Sequence, residues 1–270
     1  MQEKDEFMEN KATKIAILVD GDNAQSKLLK PILEEVSKYG KVTVRRIYGD
    51  WTMPQMKSWK EILNDLSFNP IQKFAYTTGK NSTDSSMIID AMDILHDQIV
   101  DGFCIVSSDS DYTGLAKRIR EEGIFVMGIG EKRTPNAFVQ SCEVFTYCEN
   151  IAEEVPVQEQ SPKNTQVTKK RTSPKAKKVT KEVEEVKVTR TKSYPSVKMS
   201  LINKAYDLSV NEEEATLIAI IGGNLRKIDP SFDSRTYGFK NLTQLFSSLK
   251  EYEVINQEVG GLNQPLVKKK

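Results

Sequence analysis

The chain has 270 residues, 38% of them hydrophobic and 29% charged, with a formal net charge of +1. That length suits two folded units and a connector better than one small domain. The balanced charge excludes an overall field drawing the chain to nucleic acid, so any such attraction must be regional. No apolar run approaches the roughly 20 residues of a membrane span. The start, "MQEKDEFMENKATK", carries acids and lacks an apolar core, which predicts that it is no signal peptide. Three cysteines (Cys104, Cys142, Cys148) without a C-x-x-C pair point to a reducing, cytoplasmic setting and away from structural zinc. Cys104 reads as core; Cys142 and Cys148 read as packed, with a redox role as the less common alternative. The single histidine, His96, reads as a helix-end residue beside the last carbonyls, so any catalysis is expected to use carboxylates.

In chain order, "KIAILVD" (14–20) is apolar up to its final acid, the form of a strand buried on both faces. A helix is predicted over 24–38, with Leu28, Leu29, Ile32, Leu33 and Val36 on one stripe and Gly40 closing it. "KVTVRRIYG" is a second strand, "PQMKSWKEILNDL" a second helix with Pro54 near its first turn, and "NPIQKFAYT" a third strand. "STDSSMIIDAMDIL" opens with capping residues and continues as a helix to about residue 97. "GFCIVSS" is a fourth strand, 111–122 a fourth helix and "IFVMGIG" a fifth strand, before a short helix and "EVFTYC". This alternation predicts an α/β unit over 1–151, a parallel sheet with helices on both faces and right-handed crossovers. Its ligands should bind outside the carboxyl ends of the strands.

From 152 to 196 the composition shifts to Pro, Thr, Ser, Lys and Glu; residues 161–181 hold eight Lys or Arg and no acid. This reads as a disordered basic linker, either a spacer or a weak phosphate-contacting arm. Residues 197–270 regain apolar periodicity. "SLINKAYDLS", "EEATLIAIIGGNLRKI" and "NLTQLFSSLKEY" read as helices, with Gly222-Gly223 bending or closing the second. "EVINQEVGGLNQPLVKK" reads as a hairpin turning at Gly260-Gly261, so the unit is a winged helix.

The acids of the first unit converge on one rim. Asp20 ends the first strand and is followed by "GDN", while Asp109 and Asp111 follow the fourth strand. Asp84 opens the third helix on the face of Ile88, Ala91 and Leu95, so it points to the strand ends. Asp90, Asp93 and Asp97 fall on the other side and are expected in solvent. Four carboxylates without a compensating basic cluster raise one another's pKa unless a cation neutralises them. An oxygen-only site suits Mg2+ or Mn2+, and the chemistry implied is in-line hydrolysis of a phosphodiester. Each acid also has a plainer role open to it. Asp20 can end a strand, Asp22 or Asn23 can form an Asx-turn, and Asp84, Asp109 or Asp111 can cap a helix. Their convergence is what favours a metal site.

Other doubly wound folds with acids at strand ends fit less well. A receiver domain wants an Asp ending the third strand, where this chain has "KFAYTT". A haloacid-dehalogenase-like phosphatase wants D-x-D-x-[TV], and "DGDNA" breaks that pattern; no G-x-G-x-x-G follows the first strand.

"AILVDGDN", "STDSSMIIDAMDIL", "FCIVSSDSDYTGLAKRIREEGIFVMGIG" and "EVFTY" resemble the NYN domain of the LabA-like group, in the PIN-like ribonuclease superfamily. The resemblance spans about residues 14–148. It implies a Rossmann-like sheet, an acidic metal pocket and cleavage of RNA. By that resemblance Asp20, Asp84, Asp109 and Asp111 are the catalytic acids, and Asn23 supports Asp20 or binds a substrate phosphate. Asp20, Asp84 and Asp109 are then the metal ligands, with Asp111 completing the site or orienting water. Many relatives have Gly or Gly-Asp where this chain has Ser107-Ser108-Asp109-Ser110, a change that leaves the acids in place.

The tail "IIGGNLRKIDPSFDSRTYGFKNLTQLFSSLKEYEV" resembles a LOTUS, or OST-HTH, domain, with Phe232, Tyr237-Gly238-Phe239 and Leu242 in its pattern. That implies RNA binding or docking to an RNA-handling protein. The aromatic residues read as a small core. Arg226, Arg235 and Lys240 are candidates for phosphate contact, as are Arg45, Arg46, Lys80 and Lys132-Arg133 in the first unit. The substrate expected is RNA, with DNA a further possibility. The competing reading is a non-catalytic RNA-binding or scaffold protein whose acidic pocket binds metal without turnover, since turnover also needs substrate held in line.

Overall fold

A computed structural model describes residues 13–74, 82–152, 194–210, 215–259 and 262–270. The linker expected at 152–196 falls almost wholly outside these residues, as do Lys80 and the Gly260-Gly261 turn.

The apolar run at the start folds as read. Lys14–Asp20 (β1) is buried from Ile15 onward, as a strand covered on both faces must be. Lys41–Gly49 (β2), Asn69–Gln72 (β3), Gly102–Val106 (β4), Phe125–Gly130 (β5) and Val144–Tyr147 (β6) join it. All pairs are parallel, in the order β3-β2-β1-β4-β5-β6. Period-two alternation along β1 splits the core. Ile15, Ile17 and Val19 meet Leu29–Val36 (α1), Lys60–Asp65 (α2) and Cys148–Ala152 (α6). Ala16 and Leu18 meet Ser82–His96 (α3), Thr113–Glu121 (α4) and Asn136–Ser141 (α5). The chain reverses its direction of winding between β1 and β4, which leaves a crevice at their carboxyl ends.

Three of the expected helices are shorter than their sequence periods. α1, α2 and α4 are each entered through a 3-10 turn, at Ser26–Leu28, Pro54–Trp59 and Ser110–Tyr112. The third strand stops at Gln72.

The second unit contains Met199–Asp207 (α7), Ala215–Leu217 (β7), Ile218–Ile228 (α8), Leu242–Ser248 (α9), Tyr252–Val259 (β8) and Leu262–Lys269 (β9). β9 pairs antiparallel with both β7 and β8, giving the small sheet β7-β9-β8. "EEATLIAIIGGNLRKI" is therefore not helical over Ala215–Leu217, which pair with β9 instead. Nor does Gly222-Gly223 end α8, which continues to Ile228. A Cβ at Gly222 would lie 2.7 Å from Leu242 Cδ1, so glycine there permits close packing of α8 on α9.

The two units are joined by more than the linker. The Arg235 guanidinium donates from Nη1 and Nη2 to the two carboxylate oxygens of Glu35, each at 3.0 Å, and also grips Asp233. Phe145 N on β6 donates to Pro230 O at 2.8 Å, and Asn150 Nδ2 donates to Thr236 Oγ1 at 2.9 Å. Burial by itself would raise the Glu35 pKa, but hydrogen bonds from Arg235 and Lys38 hold it below the usual range. Among the described residues no helix is long and apolar enough to cross a membrane. The cysteines are free, and burial pushes the Cys142 and Cys148 thiols up to about 12, as packed and unreactive thiols require.

Candidate metal centre

The site is built at the crevice between β1 and β4. Asp20 is the last residue of β1 and fully buried. Its backbone turns away sharply: Gly21 N donates to Tyr48 O at 2.8 Å, and a Cβ on Gly21 would come within 2.9 Å of that oxygen. Glycine is thus the residue that fits beside β2 at this point.

Asp20 accepts three hydrogen bonds, from Asn23 N (3.3 Å), Asn23 Nδ2 (2.8 Å) and Ser107 Oγ (2.9 Å). Burial raises its pKa, those side-chain donors oppose the rise, and the charges of Asp84 and Asp22 add to it. Ser107 carries the connection onward. Its Oγ accepts from Asp109 N at 3.1 Å, and Asp109 Oδ1 accepts from Asp111 N at 3.0 Å. Asp20 therefore anchors the loop that presents Asp109 and Asp111, while Asp109 also caps the turn entering α4.

Asp84 stands in the first turn of α3. Its Oδ1 accepts from the hydroxyl of Tyr112 at 2.7 Å, and that tyrosine is fully buried. One carboxylate oxygen from each of Asp84, Asp109 and Asp111 lies within 4.8 Å of the others. Burial raises the Asp84 pKa, Tyr112 partly offsets this, and the charges of Asp109 and Asp111 raise it further. A set of three carboxylates at this spacing, two of them opposing the ionisation of Asp84, fits a hard divalent cation. Asp20, expected as a ligand, lies outside that close group and accepts three hydrogen bonds of its own.

The structure distributes the other candidates widely. Asn23 supports Asp20, as its place in the motif implied. Arg45 donates to Leu66 O at 2.8 Å. Arg46 and Tyr48 both bond Asp90, so Asp90 is engaged by β2 rather than free in solvent as expected. Arg46 is long enough to reach an acid two turns along α3, which helical periodicity alone does not register. Arg133 pairs with Glu131 at 2.5 Å, and Lys132 N donates to Glu149. Arg226, Arg235 and Lys240 lie at the junction with the first unit.

Two contributors escaped the sequence reading. Ser107 looks like a strand terminus and Tyr112 like a core aromatic, and neither carries charge. The available signal was a hydroxyl at each end of "SSDSDY", flanking the paired acids.

The OST-HTH/LOTUS domain family matches residues 196–264. No curated protein matches the chain. Among solved structures, a protein of unknown function from Vibrio parahaemolyticus is similar, at 22% identity and a TM-score of 0.44. The likeness covers 51% of this chain and 94% of that one. The NYN domain family matches residues 14–153, more than half of the chain, and the protein belongs to that family.

Proposed function

We propose that the protein is a metal-dependent ribonuclease that hydrolyses RNA phosphodiester bonds at the carboxyl rim of its first sheet. Its second unit would retain RNA or a protein that handles RNA. The observation that carries this reading is the meeting of Asp84, Asp109 and Asp111 within 4.8 Å, in a chain of the NYN family. That family is PIN-like, and the LOTUS domain behind it accords with an RNA substrate.

Asp84, Asp109 and Asp111 would hold Mg2+ or Mn2+, which when bound supplies charge neutralisation at a phosphodiester and activation of water. The chain's own residues prepare that place. Tyr112 fixes the Asp84 carboxylate through its Oδ1. Asp20, held by Asn23, orients Ser107, and Ser107 orients the loop bearing Asp109. Such preorganisation avoids the cost of ordering the acids during reaction.

The test is incubation of purified protein with labelled single- and double-stranded RNA and DNA, in Mn2+ or EDTA, beside Asp84→Asn. Cleavage of RNA that needs the ion and Asp84 supports the reading. RNA bound but left intact under every metal condition would leave only a binding protein.

A further inference from the structure

A groove of about 490 Å3 runs along the junction of α1, β6, α8 and α9. Lys38 of the first unit and Arg226, Arg235 and Lys240 of the second line it, against two carboxylates, Glu35 and Asp233. Both carboxylates are engaged by Arg235. Arg226 rests over the ring of Tyr39, 5.8 Å from its centroid, and among the described residues no carboxylate pairs with it or with Lys240. A second hollow of about 400 Å3 shares Arg226 and Val144 with the first and continues past Arg120 and Lys227, with Glu143 as its acid. The two hollows adjoin at Arg226 and Val144. Lys38 and Arg235 are paired with their acids, which leaves Arg226, Lys240 and Lys227 as cations without a carboxylate partner among the described residues along this track.

We propose that this track binds the sugar-phosphate backbone of single-stranded RNA, with Arg226 at its centre. The proposal rests on RNA being the substrate and adds where the strand is held. A polyanion is the ligand whose charge matches, and a concave path suits a flexible single strand. Asn241 and Thr243 on the same wall offer the amide and hydroxyl groups that suit phosphate and 2′-hydroxyl contacts. Residues 161–181, with eight Lys or Arg and no acid, carry the same sign as the track and so do not compete for it.

α1 runs antiparallel to the strands, so Lys38 lies at the amino edge of the sheet and the acids at the carboxyl edge. Six strand residues at about 3.3 Å each separate the two by roughly 20 Å. The track therefore contributes retention and dependence on substrate length, while the acids contribute chemistry.

The experiment measures binding of a fluorescent single-stranded RNA to the full chain in EDTA, over a range of salt. Arg226→Ala/Lys240→Ala, at two exposed positions, is compared with the exposed pair Lys60→Ala/Lys117→Ala, and melting checks the fold of both. The track predicts a slope of log K against log salt about 1.4 shallower in the first pair, ~0.7 per lost phosphate contact. The second pair should keep the parent slope. An unchanged slope in the first pair, or no binding by the parent, overturns the proposal. So does displacement of RNA by polyglutamate more readily than by RNA of equal charge, which would assign the track to an acidic protein. The expected slope in a chain that never cleaves RNA supports the track and sinks the nuclease reading; cleavage with an unchanged slope does the reverse.

Discussion

Glu35 and Asp84 are both carboxylates drawn partly out of water, and they end in opposite states. Around Glu35, a two-pronged Arg235 and Lys38 outweigh the burial that would otherwise raise its pKa. Around Asp84, burial is only partly offset by Tyr112, and the nearest charges are Asp109 and Asp111, which raise its pKa further. The first acid is balanced by the chain itself and ties two units together. The second leaves an imbalance that a cation from outside would cancel. Balanced burial marks architecture here, and unbalanced burial is what the proposed metal site would use.

The strongest way to break this contrast is at the unbalanced acids. Asp84→Asn or Asp109→Asn should lower metal-dependent RNA cleavage by about 10³-fold or more, since several kcal/mol of stabilisation are at stake. Melting in metal-free buffer should hold or rise, because a repulsion is removed. Cleavage at the parent rate in both variants would take these residues out of the reaction. At the balanced acid, Glu35→Ala should cost about 3 kcal/mol in denaturant unfolding, because it strips a part-buried guanidinium of one carboxylate. A loss below about 1 kcal/mol would place the pair with ordinary surface ion pairs.

A finer test is Tyr112→Phe, which keeps the ring and deletes the hydroxyl holding Asp84. Mn2+ affinity, read by titration of melting temperature, should weaken by about 10- to 100-fold. Equal affinity would reduce Tyr112 to a core residue. The smallest effect is a difference in pH response. Glu35 has a depressed folded pKa, so its stabilisation is full above the ordinary glutamate value and lost as pH falls through the folded one. Asp84 has a raised folded pKa, so its ionised form costs stability near neutrality, and that cost is relieved as pH falls through it. Acidification from pH 7 should therefore weaken Mn2+ binding before it weakens the contact between units. Melting curves with and without Mn2+ across that range would show the order.

Much of the first unit was legible because its strands are buried on both faces and read as plain apolar runs ended by acids. The rim acids were legible because a charge ending or following such a run stands out against it, although Asp20 and Asp109 also hold structural bonds. What sequence could not show was held by distant partners. β7 has no local signal within a helical-looking run and exists because β9 pairs with it. Asp90 looked solvated because nothing nearby in sequence announces Arg46 and Tyr48. Arg235 looked like a phosphate contact, whereas its partner Glu35 stands 200 positions away. The charge of Asp20 was visible at the end of its strand, whereas the Ser107 hydroxyl that bonds it was not.

The hydrogen bond from Phe145 N to Pro230 O occupies the outer side of β6, the last strand of the sheet. An uncovered strand margin is a template onto which another chain can add, and proteins shield such margins by short length, bulges or a covering segment. Here the winged-helix unit is the cover. Cutting the chain after residue 152 would leave that margin bare, and the isolated first unit should self-associate with rising concentration more readily than the intact chain.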